Sequence, residues 1–293
     1  MVYVYPTMPF PILQIRPRSF PLLLKEVPDK PAQLYVRGTL PPPEYRLLCV
    51  VGSRACSAYG RRQTQKLIAG LAREKIVIVS GLALGIDSEA HKAALDVGIP
   101  TVAVLPSSCD DASLYPATNA VLAGRILKSG GALLSERTAP WKAHIHDFAA
   151  RNRIMAGMSQ ATLIIEAGEK SGTLITARLA LDYNREVLCI PHELERAGGV
   201  GANRLLRQGA TLVQNSTDIL EALGFTTTTP EQIPLPTDLT TAEVQVLHTL
   251  AEPLTNDELI ERSGLSVQEA NVVLSSLLIR GLIVERLGKV ERS

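Results

Sequence analysis

Three short stretches of the chain set cations beside hydroxyls and thinly covered main chain: Gly52-Ser53-Arg54, Arg151-Asn152-Arg153 and Lys170-Ser171-Gly172-Thr173. That mixture suits phosphate oxygens. A guanidinium offers a planar fork of donors, glycine lets a ligand approach the backbone, and free N–H groups at a helix start point at anions. Gly81, in the run SGLALGID from Ser80 to Asp87, marks another tight turn of the same kind. Phe148 lies one helical turn before Arg151. A base could stack on its ring for about 1–3 kcal/mol, and a core anchor is the equal alternative. Arg54 alone would be an ordinary loop arginine; the coincidence of the three stretches carries the phosphate reading.

Other chemistry finds little support. Gly52 and Gly60 are eight apart, so the first turn is not GxGxxG, and the strand Ile76–Ser80 ends in Ser80-Gly81 rather than an acidic residue. Dinucleotide binding is therefore disfavoured, and no Walker lysine pattern occurs. There is no Ser/His/Asp arrangement, no HExxH and no usefully spaced carboxylate pair. Glu136 and Glu166, at strand ends, are the best acid/base candidates, and orienting nearby arginines is the task expected of both. Asp87 and Ser88, at a helix start, are expected to cap it, with direct ligand contact the second reading, and His91 is expected to be structural. No catalytic residue, metal or cofactor is expected.

These groups need elements that bring them to one edge. Short apolar runs give strands at Leu34–Gly38, Leu47–Val51, Ile76–Ser80, Thr101–Leu105, Ala132–Ser135, Thr162–Glu166, Glu186–Ile190 and Thr211–Val213. Continuous Val, Ile and Leu mark strands buried on both faces of a parallel sheet. Helical patterns alternate with them at Tyr59–Glu74, Ser88–Val97, Asn119–Ser129, Phe148–Met158, Leu174–Asn184, Asn203–Gln208 and Thr217–Leu223. The fold class is α/β: an extended Rossmann-like parallel sheet with helices on both faces, plus a small C-terminal winged helix-turn-helix domain. The arginines of Arg151-Asn152-Arg153 fall near the opening of their helix, where cations oppose the macrodipole unless an anion compensates.

The expected domains are an irregular, proline-rich lead-in over 1–43, the Rossmann-like part over 44–224, a Thr/Pro-rich linker over 225–238 and the winged domain over 239–293. In the last, Thr255 and Ser266 read as helix caps, Glu269 completes a capping box, and Gly264 makes the turn. Residues 237–293 hold nine acidic and five basic side chains, a net −4 against +5 for the remainder. The recognition-helix stretch, Ser266–Arg280, has no Lys or Arg before its last residue. A major-groove reader would carry both, so this domain reads as a protein-contact or autoregulatory module.

Over the whole chain of 293 residues the net charge is +1, so any anion is held by a local patch rather than a global field. The four cysteines form no CxxC pair, and reduced thiols are the default; Cys49 and Cys189 sit in apolar runs as core residues. The N-terminus lacks a signal-peptide pattern and no run reaches membrane-spanning length, which points to a cytoplasmic protein.

The motifs VGSR at 51–54, SGLAxGID at 80–87, AVL at 103–105, YPxxN at 115–119, LLSE at 133–136, RNRIxAG at 151–157, EAxxxSGTLITA at 166–177 and NRLLRQGA at 203–210 occur in one order. Together, over about Pro21 to Leu223, they resemble the DNA-processing protein A family (DprA, also called Smf). The resemblance implies an extended Rossmann fold that binds single-stranded DNA, protects incoming DNA in natural transformation and loads the RecA recombinase. It also implies a homodimer without enzymatic activity. Carried over by motif, Ser53 and Arg54 would grip phosphates, with Gly81, Arg151, Asn152, Arg153 and Lys170–Thr173 lining the same pocket. Two departures stand out: Pro106-Ser107-Ser108-Cys109-Asp110 replaces the family's glycine-rich turn, and Ala117 stands where some members place a basic residue. The sterile-alpha-motif-like domain of many members is not found ahead of the Rossmann part. A rival from another class is a nucleoside-monophosphate phosphoribohydrolase of related fold; its PGGxGTxxE motif compares with Lys170–Thr176, which lacks the glutamate.

Overall fold

Alternate residues of the strand Arg46–Gly52 face opposite ways, as the twofold period of a strand requires. Leu48 and Val50 enter one hydrophobic core, while Leu47, Cys49 and Val51 enter another on the reverse face. A strand apolar at every position is what such a doubly covered sheet demands. The computed structural model describes residues 10–226, 239–250, 254–286 and 288–292. The chain forms two units that divide after residue 227.

The first unit begins with β1 (Ile12–Ile15), α1 (Leu22–Glu26), β2 (Leu34–Gly38), β3 (Arg46–Gly52) and α2 (Ala58–Ala69). It continues through β4 (Ile76–Ser80), α3 (Ile86–Asp96), β5 (Thr101–Leu105), α4 (Ala120–Lys128), β6 (Ala132–Ser135) and α5 (Ile145–Met158). It closes with β7 (Ala161–Glu166), α6 (Thr173–Asp182), β8 (Glu186–Cys189), α7 (Val200–Arg207), β9 (Thr211–Leu212) and α8 (Ser216–Ala222). The nine strands make one sheet in the order β1-β2-β6-β5-β4-β3-β7-β8-β9. All neighbours from β6 to β9 are parallel, whereas β1–β2 and β2–β6 are antiparallel. Side chains of α1, α5, α6 and α7 cover one face, and those of α2, α3 and α8 the other.

From β3 the chain steps outward through β4, β5 and β6, then returns to the far side of β3 to lay down β7, β8 and β9. The direction of winding therefore reverses between β3 and β7. At such a reversal the loops leaving the two strands diverge to opposite faces and open a crevice at the carboxyl edge.

The lead-in, expected to be irregular apart from a strand at Leu34–Gly38, also contains β1 and α1, and the expected strand forms as β2 with those residues. Strands β1 and β2 extend the sheet antiparallel beyond β6, and Leu24, Leu34 and Val36 are buried. Prolines interrupt the stretch too often for a periodic signal, and its pairing partner lies about a hundred residues away in sequence.

In the second unit, α9 (Thr241–Thr249), α10 (Asn256–Ser263) and α11 (Val267–Ile279) precede β10 (Ile283–Arg286), which pairs antiparallel with β11 (Lys289–Arg292). Thr255 and Ser266 cap their helices by accepting the N–H of Glu258 and Glu269, and Gly264 adopts the left-handed turn (φ 68°) between them. Val246, Leu259, Leu274, Leu277 and Ile283 form the core of this unit. The expected linker lies, from residue 227 on, outside the described residues.

Candidate nucleic-acid interface

The crevice at the β3/β7 reversal is a cleft of about 350 Å³. Gly52, Ser53 and Arg54 line it from the loop after β3. Phe148, Arg151 and Asn152 line it from α5, and Ser171, Gly172 and Thr173 from the start of α6. The edge is irregular by construction: the β3–β7 register slips between Val51 and Gly52, opposite Glu166. The loop after β4 is drawn against the loop after β3 by Ile86 N–H donating to the Ser53 carbonyl at 3.1 Å. Gly85 makes that approach feasible. Its φ is +78°, and a Cβ there would fall 2.2 Å from the Ser53 oxygen.

Three residues expected in the pocket do not line it. Gly81 lies beneath Arg151, where an added Cβ would sit 1.7 Å from Nη1. Arg153 is turned away: Nη2 pairs with Glu136 and Nη1 donates to the Asp29 carbonyl. Lys170 is exposed in the turn just ahead of Ser171.

The helix carrying the arginines also starts earlier than its sequence pattern suggests. Asp147 accepts the His144 N–H at 2.8 Å and so sets the first turn at Ile145. Arg151 and Arg153 therefore sit within the helix, and the macrodipole argument for them lapses.

Arg151 is buried, and its Nη1 donates to the Val104 carbonyl at 2.5 Å while Nε has no hydrogen-bond partner. Burial lowers its pKa from the ordinary arginine value, and the neighbouring Asp87 opposes that shift. Burial likewise raises the Asp87 carboxyl, with Arg151 pulling it back. Asp87 lines the cleft, but its Oδ2 accepts the Gly81 N–H at 3.1 Å, so it braces the turn rather than capping α3. Ser88 ties back to the Ala83 carbonyl, and Asn119 donates to both Ser88 Oγ and the Leu82 carbonyl. The N-cap of α3 is Gly85.

His91 is fully buried with Nδ1 2.7 Å from Thr101 Oγ1. The Thr101 hydroxyl donates to the Ile78 carbonyl, so Nδ1 carries the proton by inference and Nε2 is left without a partner. Burial first, and then the charge of Arg151, bring its pKa down to about 3. Burial holds the thiols of Cys49 and Cys189 at about 12, as core residues.

At the rim the guanidinium carbon of Arg54 stands 4.9 Å above the centroid of Phe148. Tyr115 meets the same ring edge-on at 5.4 Å and 78°. Phe148 is thus braced from two sides. Glu136 orients Arg153 as expected, but Glu166 pairs with no arginine among the described residues; it accepts the Ser57 N–H at 2.9 Å and steadies the loop leading into α2. The loop Pro106–Asp110 turns inward, and Ser108 exchanges main-chain and side-chain hydrogen bonds with Trp141. Sequence reasoning overlooked Ile145 and Ile175, which line the cleft and are exposed. An isoleucine carries no chemical signal until the elements around it are placed.

Fold and cleft together define a doubly wound α/β protein with its candidate site at the topological switch point. The chain belongs to the DNA recombination-mediator protein A family, whose model matches residues 11–224. It is 41% identical over 206 residues to Protein Smf of Escherichia coli (strain K12), a match covering 70% of this chain and 54% of that protein. It thus spans about half the length of that relative. It is 39% identical over 219 residues to DNA processing protein DprA of Streptococcus pneumoniae, 74% of this chain and 75% of that protein. The X-ray structure of the Streptococcus pneumoniae protein superposes with a TM-score of 0.67 at 36% identity, covering 73% of this chain and 74% of that one. A structure of DNA processing protein A from Helicobacter pylori, described for its single-stranded DNA binding mode, superposes at 0.63 with 30% identity, covering 73% and 95%.

Proposed function

We propose that this chain binds single-stranded DNA without sequence preference, through the cleft at the β3/β7 switch point. The observation that carries the reading is the convergence of Arg54, Arg151 and the Ser171–Thr173 start of α6 on one cleft, from three separate parts of the chain. Phosphates would lie against Arg54 and the main chain of these loops, and the buried Arg151 would supply a fixed positive field from below. Arg153 has its donors engaged, so the phosphate contacts are assigned to Arg54 in the cleft and to Lys170, exposed beside it, with the buried Arg151 beneath them.

Family membership and the Helicobacter pylori relative support extending this to recombination mediation. Under that reading the protein protects incoming strands and loads the RecA recombinase in transformation or recombination, as a cytoplasmic homodimer without catalysis. Leu181 and Leu212, exposed on α6 and edge strand β9, are apolar surface that a second copy could cover. The acidic second unit, which we read as a winged helix, would serve a protein contact.

Titrating a labelled thymidine oligonucleotide by fluorescence anisotropy across salt concentrations tests the core claim. With three cations engaged, log K falls with log[salt] at a slope of about −2, and duplex of the same length binds more weakly. Arg54→Ala lowers affinity for all sequences alike and flattens the slope by about 0.7. A slope of zero, or preference for duplex, overturns the reading. Free adenine released from AMP would instead favour the phosphoribohydrolase class.

A further inference from the structure

The walls of the cleft are not uniformly polar. Along α5 the lining residues Ile145, Phe148 and Asn152 recur at helical spacing on one face. They grade in depth toward the buried Arg151: Ile145 is 81% exposed, Phe148 half-buried and Arg151 6% exposed. On the facing helix α6, Ile175 lines the same cleft and is 48% exposed. Two large aliphatic side chains thus stand open to solvent on two packed helices, within a cleft that also holds Arg54 and Arg151. Phe148, the residue that the sequence offers for base stacking, has Arg54 over its face and Tyr115 at its edge. Ile145 and Ile175 are the large apolar side chains of the lining that stand exposed among the described residues.

We infer that Ile145 and Ile175 form an apolar slot that receives nucleobases of the bound strand, while the Gly52–Arg54 side receives its phosphates. This rests on the single-stranded DNA reading above and adds to it which wall takes which half of the nucleotide. An aliphatic side chain offers nothing to a phosphate. Against the face of an unstacked base it removes apolar area from water on both partners, and does so for every base alike. Phe148 then acts as a positioning residue that holds the Arg54 guanidinium flat at the boundary between the two walls.

The test compares a thymidine oligonucleotide with an abasic strand of equal length, which keeps the phosphates and lacks the bases. Ile145→Ala and Ile175→Ala each weaken binding of the thymidine strand about fivefold, with the salt slope unchanged, because no ion pair is lost. Binding of the abasic strand stays at the wild-type value. Ile145 is so exposed that its truncation leaves the fold intact, and an unchanged melting temperature verifies this. Unaltered binding of the thymidine strand, or equal loss on both strands, overturns the slot. If Arg54→Ala loses affinity while the isoleucine variants do not, only the slot falls. If the wild-type chain binds neither strand in a salt-dependent way, the underlying reading falls with it.

Discussion

Arg151 and Arg153 are two residues apart and serve different ends. Two steps along an α-helix turn a side chain through about 200°, so the pair cannot share a wall. Arg153 joins α5 to Glu136 after β6 and to the Asp29 carbonyl after α1, in a partly buried ion pair. Arg153→Ala should therefore cost about 1–2 kcal/mol in urea unfolding and leave the salt slope of DNA binding at its wild-type value. A shallower slope in that variant would return Arg153 to the phosphate site. His91 supplies the acid sensitivity at this scale. Its folded pKa of about 3 lies below the ordinary 6.5, so below pH 6.5 the unfolded chain binds a proton that the folded chain refuses. Stability is complete above pH 6.5 and falls as the pH drops toward 3, by roughly 2 kcal/mol at pH 5. His91→Gln should show a smaller fall over that interval; an identical one would assign the effect to other groups.

The cleft is built from the end of β3 and the start of α6 together with one face of α5. The register slip in β3, the early start of α5 and the positive φ of Gly85 ahead of α3 each set the course of a loop at the cleft. Gly85→Ala should cost about 1–3 kcal/mol, because the new Cβ meets the Ser53 carbonyl in a backbone region unfavourable to it. The same variant should bind single strands more weakly, since the Gly52–Arg54 loop loses its support. Wild-type affinity in a destabilised Gly85→Ala protein would show that the loop adjusts independently. Element identity was legible where apolar runs are continuous: β4, β5 and β6 have the residues that their sequence pattern assigns. Starts of helices were less legible. The group that sets the first turn of α5 is Asp147, in a stretch of mixed aromatic and basic residues that shows no period in the sequence.

At the scale of the whole molecule, every residue lining the cleft belongs to the first unit, which has its own cores on both faces of its sheet. A chain ending at residue 227 should keep single-stranded DNA affinity within about threefold and the same salt slope, since no lining cation is removed. Loss of binding on that truncation would give the acidic second unit a direct role in DNA contact. The recombination-mediator family model matches residues 11–224, within this first unit.

Local order was written in the chain itself: runs of Val, Ile and Leu this short, bounded by turn residues, suit strands covered on both faces, and the glycine-bearing turns that end them suit the edge of the sheet. The kinds of group at the site followed too, because cations, hydroxyls and bare main chain suit phosphate wherever they stand. Which of them stand together was decided by tertiary structure. The reversal between β3 and β7 joins residues about a hundred positions apart, and helical rotation divides Arg151 from Arg153 although they are near neighbours in sequence. Distance along the chain carries neither fact, since both arise from how elements pack once they have formed.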